Sequence, residues 1–226
     1  MVPRLIAFFG PDGAGKSTQV KLLVSHFQSH KNKVRKVWIR SPHTLAYLLS
    51  RFFVKIGFCR VVLNPFGRKT KLPAVHLNRR IRLFWSIIEL FGVVPAILFR
   101  VYVPLFLGYT VVAERYVIDT IVTVAYYTND LGFLQSQTAK LLLRFVPKDT
   151  LFIHLDSNYR KIMKRRGNFV ESRDFINFQR KGYRIIGNSV EATSIDTSNI
   201  SVKETHMRIM QRLSINQVLR LEHKLL

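Results

Sequence analysis

The strongest constraint on this chain is the segment 10–18, which reads GPDGAGKST. It follows an apolar run at 4–9 (RLIAFF) and precedes a stretch at 16–28 with Val20, Leu23, Val24 and Phe27 at helical spacing. That order is strand, loop, helix. Gly10, Gly15, Lys16 and Ser17 satisfy the pattern G-x-x-x-x-G-K-[ST]. In such a loop successive backbone N–H groups converge into an anion nest, and the following helix aims its positive end at the same point. Glycine serves where the backbone takes a positive φ or must approach a phosphate closely. The match predicts that Gly10, Pro11, Asp12, Gly13, Ala14, Gly15, Lys16, Ser17 and Thr18 hold ATP. Lys16 would reach the β- and γ-phosphates, and the Ser17 hydroxyl would ligate Mg²⁺. Asp12 is unusual there, because phosphates repel a carboxylate. Accepting a hydrogen bond from a substrate hydroxyl is one role for it, and stabilising an Asx turn is the other.

Downstream the pattern alternates. A second strand is expected at 33–40 (KVRKVWIR), stopping at Ser41-Pro42, with Arg35 and Lys36 in solvent. Residues 43–106 read as helical, broken near 64–67 and at 72–73 around a basic loop, GRKTK. Strands are expected at 109–113 and 150–155, each followed by a carboxylate, Glu114 and Asp156, with helix between them at 118–145. A basic helix at 159–166, a helix around 175–186, a short strand at 193–196 and a terminal helix from 201 complete the reading. Strands alternating with helices predict an α/β domain spanning 1–226, with a parallel sheet covered on both faces.

Charge narrows the partners. Thirty-six Lys and Arg against 13 Asp and Glu give a formal net charge of +23, which favours anionic ligands: nucleotides, nucleic acid or acidic lipid. No helix-turn-helix or base-stacking motif supports nucleic acid. The single cysteine, Cys59, excludes an internal disulfide and a multi-thiolate zinc site. A buried structural thiol in a reducing, cytoplasmic interior is the expectation, since the N-terminus reaches the glycine-rich loop without a secretory apolar segment. The greasy stretch 83–112 is interrupted by Glu89, Pro95, Arg100 and Pro104, so buried core helices are expected there rather than a membrane span. Its basic flank NRRIR at 78–82 leaves a membrane-surface role open.

Four segments resemble the thymidylate kinase family of P-loop nucleoside-monophosphate kinases: FFGPDGAGKSTQ, WIRSP at 38–42, Glu114-Arg115-Tyr116, and HLDSNYRKIMKRRG at 154–167. Lys-Gly-Tyr at 181–183 and Ser-Ile-Asp at 194–196 follow in the family's order. The segment WIRSPH is also similar to a divergent branch of thymidylate-kinase-like proteins. The resemblance implies a three-layer P-loop fold, a five-stranded parallel sheet and a short basic lid at about residues 160–173, with an acceptor-side region at 43–106. It assigns Asp12 to the acceptor's sugar hydroxyl, and Arg40, Arg115 and Tyr116 to the acceptor, Arg40 and Arg115 to its phosphate. Glu114 joins Ser17 at the metal in this reading, one methylene longer than the family's Asp. The loop carries no arginine, so the lid's Arg165 and Arg166 join Lys16 and Arg115 as catalytic candidates, with Arg173 in reserve. Neutralising the transferring phosphoryl group is the task.

The expected activity is transfer of the ATP γ-phosphoryl group to a nucleoside monophosphate, with thymidylate (dTMP) the first candidate. The segment 89–94, ELFGVV, lacks the arginine that the family's base-binding helix carries, and Arg79, Arg80 and Arg82 lie too early to replace it. Alternatives are a P-loop kinase of another small acceptor and an ATPase or binding module for nucleic acid or a membrane surface. Related enzymes pair through helices, which makes 83–106 a candidate homodimer face. A phosphate oxygen needs no general base, and His43, His76 and His154 are left without a catalytic role.

Overall fold

The computed structural model describes residues 4–39, 44–63, 65–66 and 68–225. Five strands, β1 (Leu5–Phe9), β2 (Val34–Ile39), β5 (Thr110–Arg115), β6 (Thr150–Asp156) and β7 (Thr193–Asp196), form a parallel sheet in the order β2-β5-β1-β6-β7. All four pairings are parallel, with β1 between β5 and β6. Central strands buried on both faces must be apolar throughout rather than alternating, and β1 shows why. Leu5, Ala7 and Phe9 enter one core, while Ile6 and Phe8 enter the other.

The first core is closed by α3 (Arg79–Ile97), α5 (Tyr116–Thr128), α6 (Gln137–Arg144) and α8 (Arg173–Ser189), through residues such as Val93, Ile121, Leu142 and Tyr183. The second is closed by α1 (Lys16–Ser29) and α9 (Val202–Leu225), through Leu23, Phe27, Ile209 and Leu213. The three-layer α/β arrangement expected from the sequence is therefore present. Ligands of such sheets sit beyond the carboxyl ends of the strands. That edge carries Gly10, Glu114, Asp156 and Asp196.

Three expectations need correction. Between α2 (Thr44–Lys55) and α3 the chain forms an antiparallel hairpin, β3 (Cys59–Leu63) and β4 (Lys69–Pro73), rather than helix and loop. Val61, Val62 and Thr70 favour strands, and the ladder forms a sheet separate from the main one. The helix expected at 118–145 is two. Asn129 caps α5 in the left-handed region at φ 51, and the Ser136 hydroxyl accepts from Ala139 N–H to start α6. Cys59 is only half-buried at the edge of the hairpin, not a core thiol.

The greasy segment also departs from expectation. Pro95 and Pro104 do not break it: 79–106 is one helical stretch of 28 residues, long and apolar enough by length and composition to cross a membrane. Before Pro104 the ladder widens into a π turn at Leu98–Tyr102, in which Val103 N–H donates to Leu98 O. The proline's missing N–H is absorbed by that shift. Only 33% of its most apolar window is buried, so the segment is not the buried core helix expected. The short α4 (Val103–Phe106) ends it, and α7 (Tyr159–Arg166) forms the basic helix beside the phosphate loop.

Candidate active site

Chain reversal between β1 and α1 requires unusual backbone angles, and glycine supplies them. Gly10 has φ +136, and a Cβ there would lie 1.9 Å from Leu155 O. Gly15, at φ 94, precedes the first turn of α1. Lys16 is almost fully buried beneath this loop, and its ammonium donates to Gly10 O at 2.8 Å and Pro11 O at 2.7 Å. Burial and then repulsion by Arg115 push its pKa down to about 8, against the pull of Asp12, Asp119 and Glu114. The same ammonium lies 3.7 Å from Asp12 Oδ1, a carboxylate already paired with Arg115, so a polyanion in the loop would add counter-charge to a buried cation that now shares its close carboxylate.

The structure brings Ser17 and Glu114 together. The Ser17 hydroxyl donates to Glu114 Oε1 at 2.5 Å, and Lys36 Nζ lies 3.5 Å from Glu114 Oε2. Hydroxyl and carboxylate oxygens are the hard donors Mg²⁺ prefers, and this ion commonly takes one or two carboxylates plus substrate phosphates rather than a full protein cage. Among the described residues no group of three or more His, Cys, Asp or Glu is placed to hold a metal ion.

At the β5 to α5 junction Arg115 and Tyr116 both have positive φ, 81 and 62. Neither residue favours that region, at a cost of about 1–3 kcal/mol each. The turn directs Arg115 inward, where it ion-pairs with Asp12 and donates to Asp119 Oδ1 at 2.8 Å. Tyr183 donates to the same Asp119 oxygen at 2.5 Å. Burial opposes the charge on Arg115, but Asp119 and Asp12 outweigh it and raise its pKa. Burial and then Asp119 raise Tyr183 well above the ordinary range. Asp12 thus faces a guanidinium from the protein itself. The residue expected beside Arg115 at the acceptor, Tyr116, turns the other way: it is fully buried in the first core, with its hydroxyl toward Phe145 O at 3.4 Å. That expectation is corrected.

The two arginines that end α7 have different partners. Arg165 donates to Gly13 O at 3.0 Å, Thr197 Oγ1 at 3.0 Å and Thr197 O at 2.7 Å, which ties α7 to the phosphate loop. Arg166 donates to Phe169 O at 3.0 Å, and its Nε is buried without a hydrogen-bond partner. Arg173 instead lies over the Tyr159 ring, 5.9 Å from its centroid. Both Arg165 and Arg166 line a cavity of about 520 Å³ that also contains Gly13, Gly15, Lys16, Ser17, Glu114 and Arg115. Arg40 and His43 lie outside the described residues.

A second cavity of about 410 Å³ adjoins the first, with Trp38 and Arg115 on both walls. It is lined by Tyr126, Tyr127 and Phe175 from the helices and by Val62, Thr70 and Leu72 from the hairpin. Gln179 also lines it, and the buried Gln179 Oε1 has no hydrogen-bond partner. The sequence reading missed this cavity, together with Asp119 and Gln179. Asp119 lies in the first turn of α5 while Arg115 ends β5, so no helix-face spacing in the sequence announces the pair. His154 is stacked on Phe9 with centroids 5.0 Å apart, and burial pushes its pKa down to about 4. It sits in the packed interior, as does the Asp156 carboxylate, which receives Arg180 Nε at 2.8 Å and Nη2 at 3.0 Å.

No family model matches the sequence, and no curated protein matches it. The crystal structure of thymidylate kinase from Ehrlichia chaffeensis resembles this fold with a TM-score of 0.57 at 17% identity, covering 95% of this chain and 100% of that one. The fold of this chain is thus thymidylate-kinase-like.

Proposed function

We propose that the protein is an ATP-dependent phosphotransferase whose acceptor is a nucleoside monophosphate, with thymidylate the first candidate. One observation carries the reading: Arg115 stands on the shared wall of a polar phosphate-loop cavity and an aromatic cavity. A donor and an acceptor placed in the two would meet at that guanidinium.

In this reading the loop amides and Lys16 hold the triphosphate, while Ser17 and Glu114 hold Mg²⁺, which supplies charge neutralisation on the phosphates when bound. Arg115 orients the acceptor phosphate, with Arg40 as a second group for it. Asp12 and Asp119 fix the Arg115 guanidinium in turn. The attacking oxygen is already anionic, so the chain's task is alignment and charge stabilisation rather than proton removal. Arg165 is spent on backbone and Thr197 contacts and acts as a clamp. Arg166, which lines the phosphate-loop cavity and donates to Phe169 O from Nη2, is the arginine assigned to the transferring group. Trp38, Tyr126 and Phe175 offer rings for an acceptor base, and Gln179 offers an amide for its edge, in place of the absent base-side arginine.

The test is ADP release with MgATP and a panel of nucleoside monophosphates and other small phosphorylated acceptors, with Lys16→Ala as the blank. Stimulation by dTMP above the blank supports the first candidate. Stimulation only by a different acceptor moves the assignment to that molecule, and stimulation by none of the nucleotides overturns it.

A further inference from the structure

The face of the helical stretch 79–106 that looks away from the core has a chemistry the proposed reaction does not use. Phe84, Ile87, Phe91, Phe99 and Phe106 recur on it, with relative exposures of 52%, 49%, 68%, 72% and 92%. Their spacing follows one side of a helix that, at 28 residues, is about 42 Å long. Contiguous apolar surface of this extent marks an interaction site rather than ordinary solvent-facing scatter. The opposite side of the same helix holds Val93, Ile97, Val101 and Leu105 in the first core. The helix therefore cannot leave the protein to cross a bilayer without dismantling that core. It can only lie along one.

What covers the stripe is decided by charge. Arg79 and Arg80 are exposed at the start of α3, and Arg100 is exposed near its end. The only carboxylate on the helix, Glu89, is fully buried. A second copy packed on this stripe would bring arginines to the seam with no exposed carboxylate on α3 to meet them, in a chain of net charge +23. An anionic lipid surface meets both features at once.

A cavity of about 390 Å³ at the amino end of the stripe adds an independent feature. Arg79 and Arg82 line it, next to the exposed Leu83 and the stripe residue Ile87. Among the described residues neither arginine forms an ion pair. The carboxylate there, Asp130, accepts from Gly132 N–H at 2.9 Å, so the cavity retains two cationic groups beside apolar side chains.

We infer that the helical stretch 79–106 is a membrane-surface helix: its phenylalanine stripe lies in the interface of an anionic bilayer, and the cavity lined by Arg79 and Arg82 receives a phospholipid headgroup phosphate. This inference does not depend on the acceptor assigned above. Flotation of the full chain with phosphatidylcholine vesicles, with or without an equal part of phosphatidylglycerol, tests it. Binding is expected with the anionic vesicles alone and should weaken as salt is raised. Phe99→Ser with Phe106→Ser should lower the bound fraction about tenfold or more, and Arg79→Gln with Arg82→Gln should remove the preference for phosphatidylglycerol. Both variants should keep the wild-type melting temperature and MgATP affinity, because these positions lie outside the two active-site cavities. Vesicle binding unchanged in the phenylalanine variant would show diffuse charge attraction and overturn the inference. No vesicle binding, with a solution dimer that the same substitutions split, would overturn it in favour of a second copy on the stripe.

Discussion

Arg115 Nη1 donates to Asp119 Oδ1 across 2.8 Å, with the two side chains only 7% and 1% exposed. Breaking a buried pair strands the surviving charge and costs about 3–5 kcal/mol. Asp119→Asn is expected to lower the melting temperature by on the order of 10 °C in scanning calorimetry. In steady-state assays the acceptor KM should rise more than the ATP KM, because Arg115 loses its orientation. Equal effects on both substrates would count against Arg115 as the acceptor's group.

Metal binding gives a second prediction. Glu114 accepts from Ser17 and lies near Lys36. Glu114→Gln keeps the shape and removes the charge, so the Mg²⁺ concentration for half-maximal ATP turnover should rise about 10- to 100-fold. A metal titration at fixed ATP reads this directly.

Gly182 sets two effects against each other. In an exposed helix interior, Gly→Ala gains about 1 kcal/mol. Here the added Cβ would sit 3.1 Å and 3.3 Å from the two methyls of Val122, and overpacking costs about 1–3 kcal/mol. Gly182→Ala is therefore expected to destabilise the protein in urea unfolding, with Val122→Ala restoring much of the loss in the double variant.

The phosphate loop, all five sheet strands and the basic helix were legible because local patterns encode them: a spaced glycine motif, short apolar runs ending at turns, and helical periodicity. Where the reading failed, long-range partners decide. The hairpin is the exception: strands 59–63 and 69–73 pair locally with each other, and the turn signals at 64–67 and 72–73 gave no sign of a ladder between them. Tyr116 belongs to a three-residue motif, yet its positive φ turns the ring into the core. Gln179 reaches the aromatic cavity because α8 packs against α5, and spacing along the chain does not reveal that contact. Pro95 and Pro104 read as helix breakers, but a π turn between them accommodates the second.

The lid arginines should separate by kinetics. Arg166→Ala is expected to reduce kcat about 10²- to 10³-fold with a small change in ATP KM. Arg165→Ala should act mainly on ATP binding, since its contacts to Gly13 and Thr197 hold the loop. Pre-steady-state quench flow distinguishes the two outcomes.

His154 predicts a pH response of stability. Its folded pKa of about 4 lies below the ordinary 6.5, so between those values the unfolded chain binds the extra proton. Stability therefore rises with pH across that window and is lost as pH falls through it. His154→Phe, which retains the stack on Phe9, should flatten the dependence between pH 4 and 6.5 by up to about 1.4 kcal/mol per pH unit. Urea titrations at several pH values measure the slope.

The hairpin of β3 and β4 shares no ladder with the main sheet, yet Val62, Thr70 and Leu72 form one wall of the aromatic cavity. Under the proposed assignment, acceptor preference would be separable from phosphoryl chemistry: exchanging this small module would re-cut one chamber while the strands leading to the phosphate loop, Glu114 and Arg115 keep their register. In that arrangement the shape of the second chamber could change by substitutions at Val62, Thr70 and Leu72 alone, with the phosphate-loop cavity left as it is.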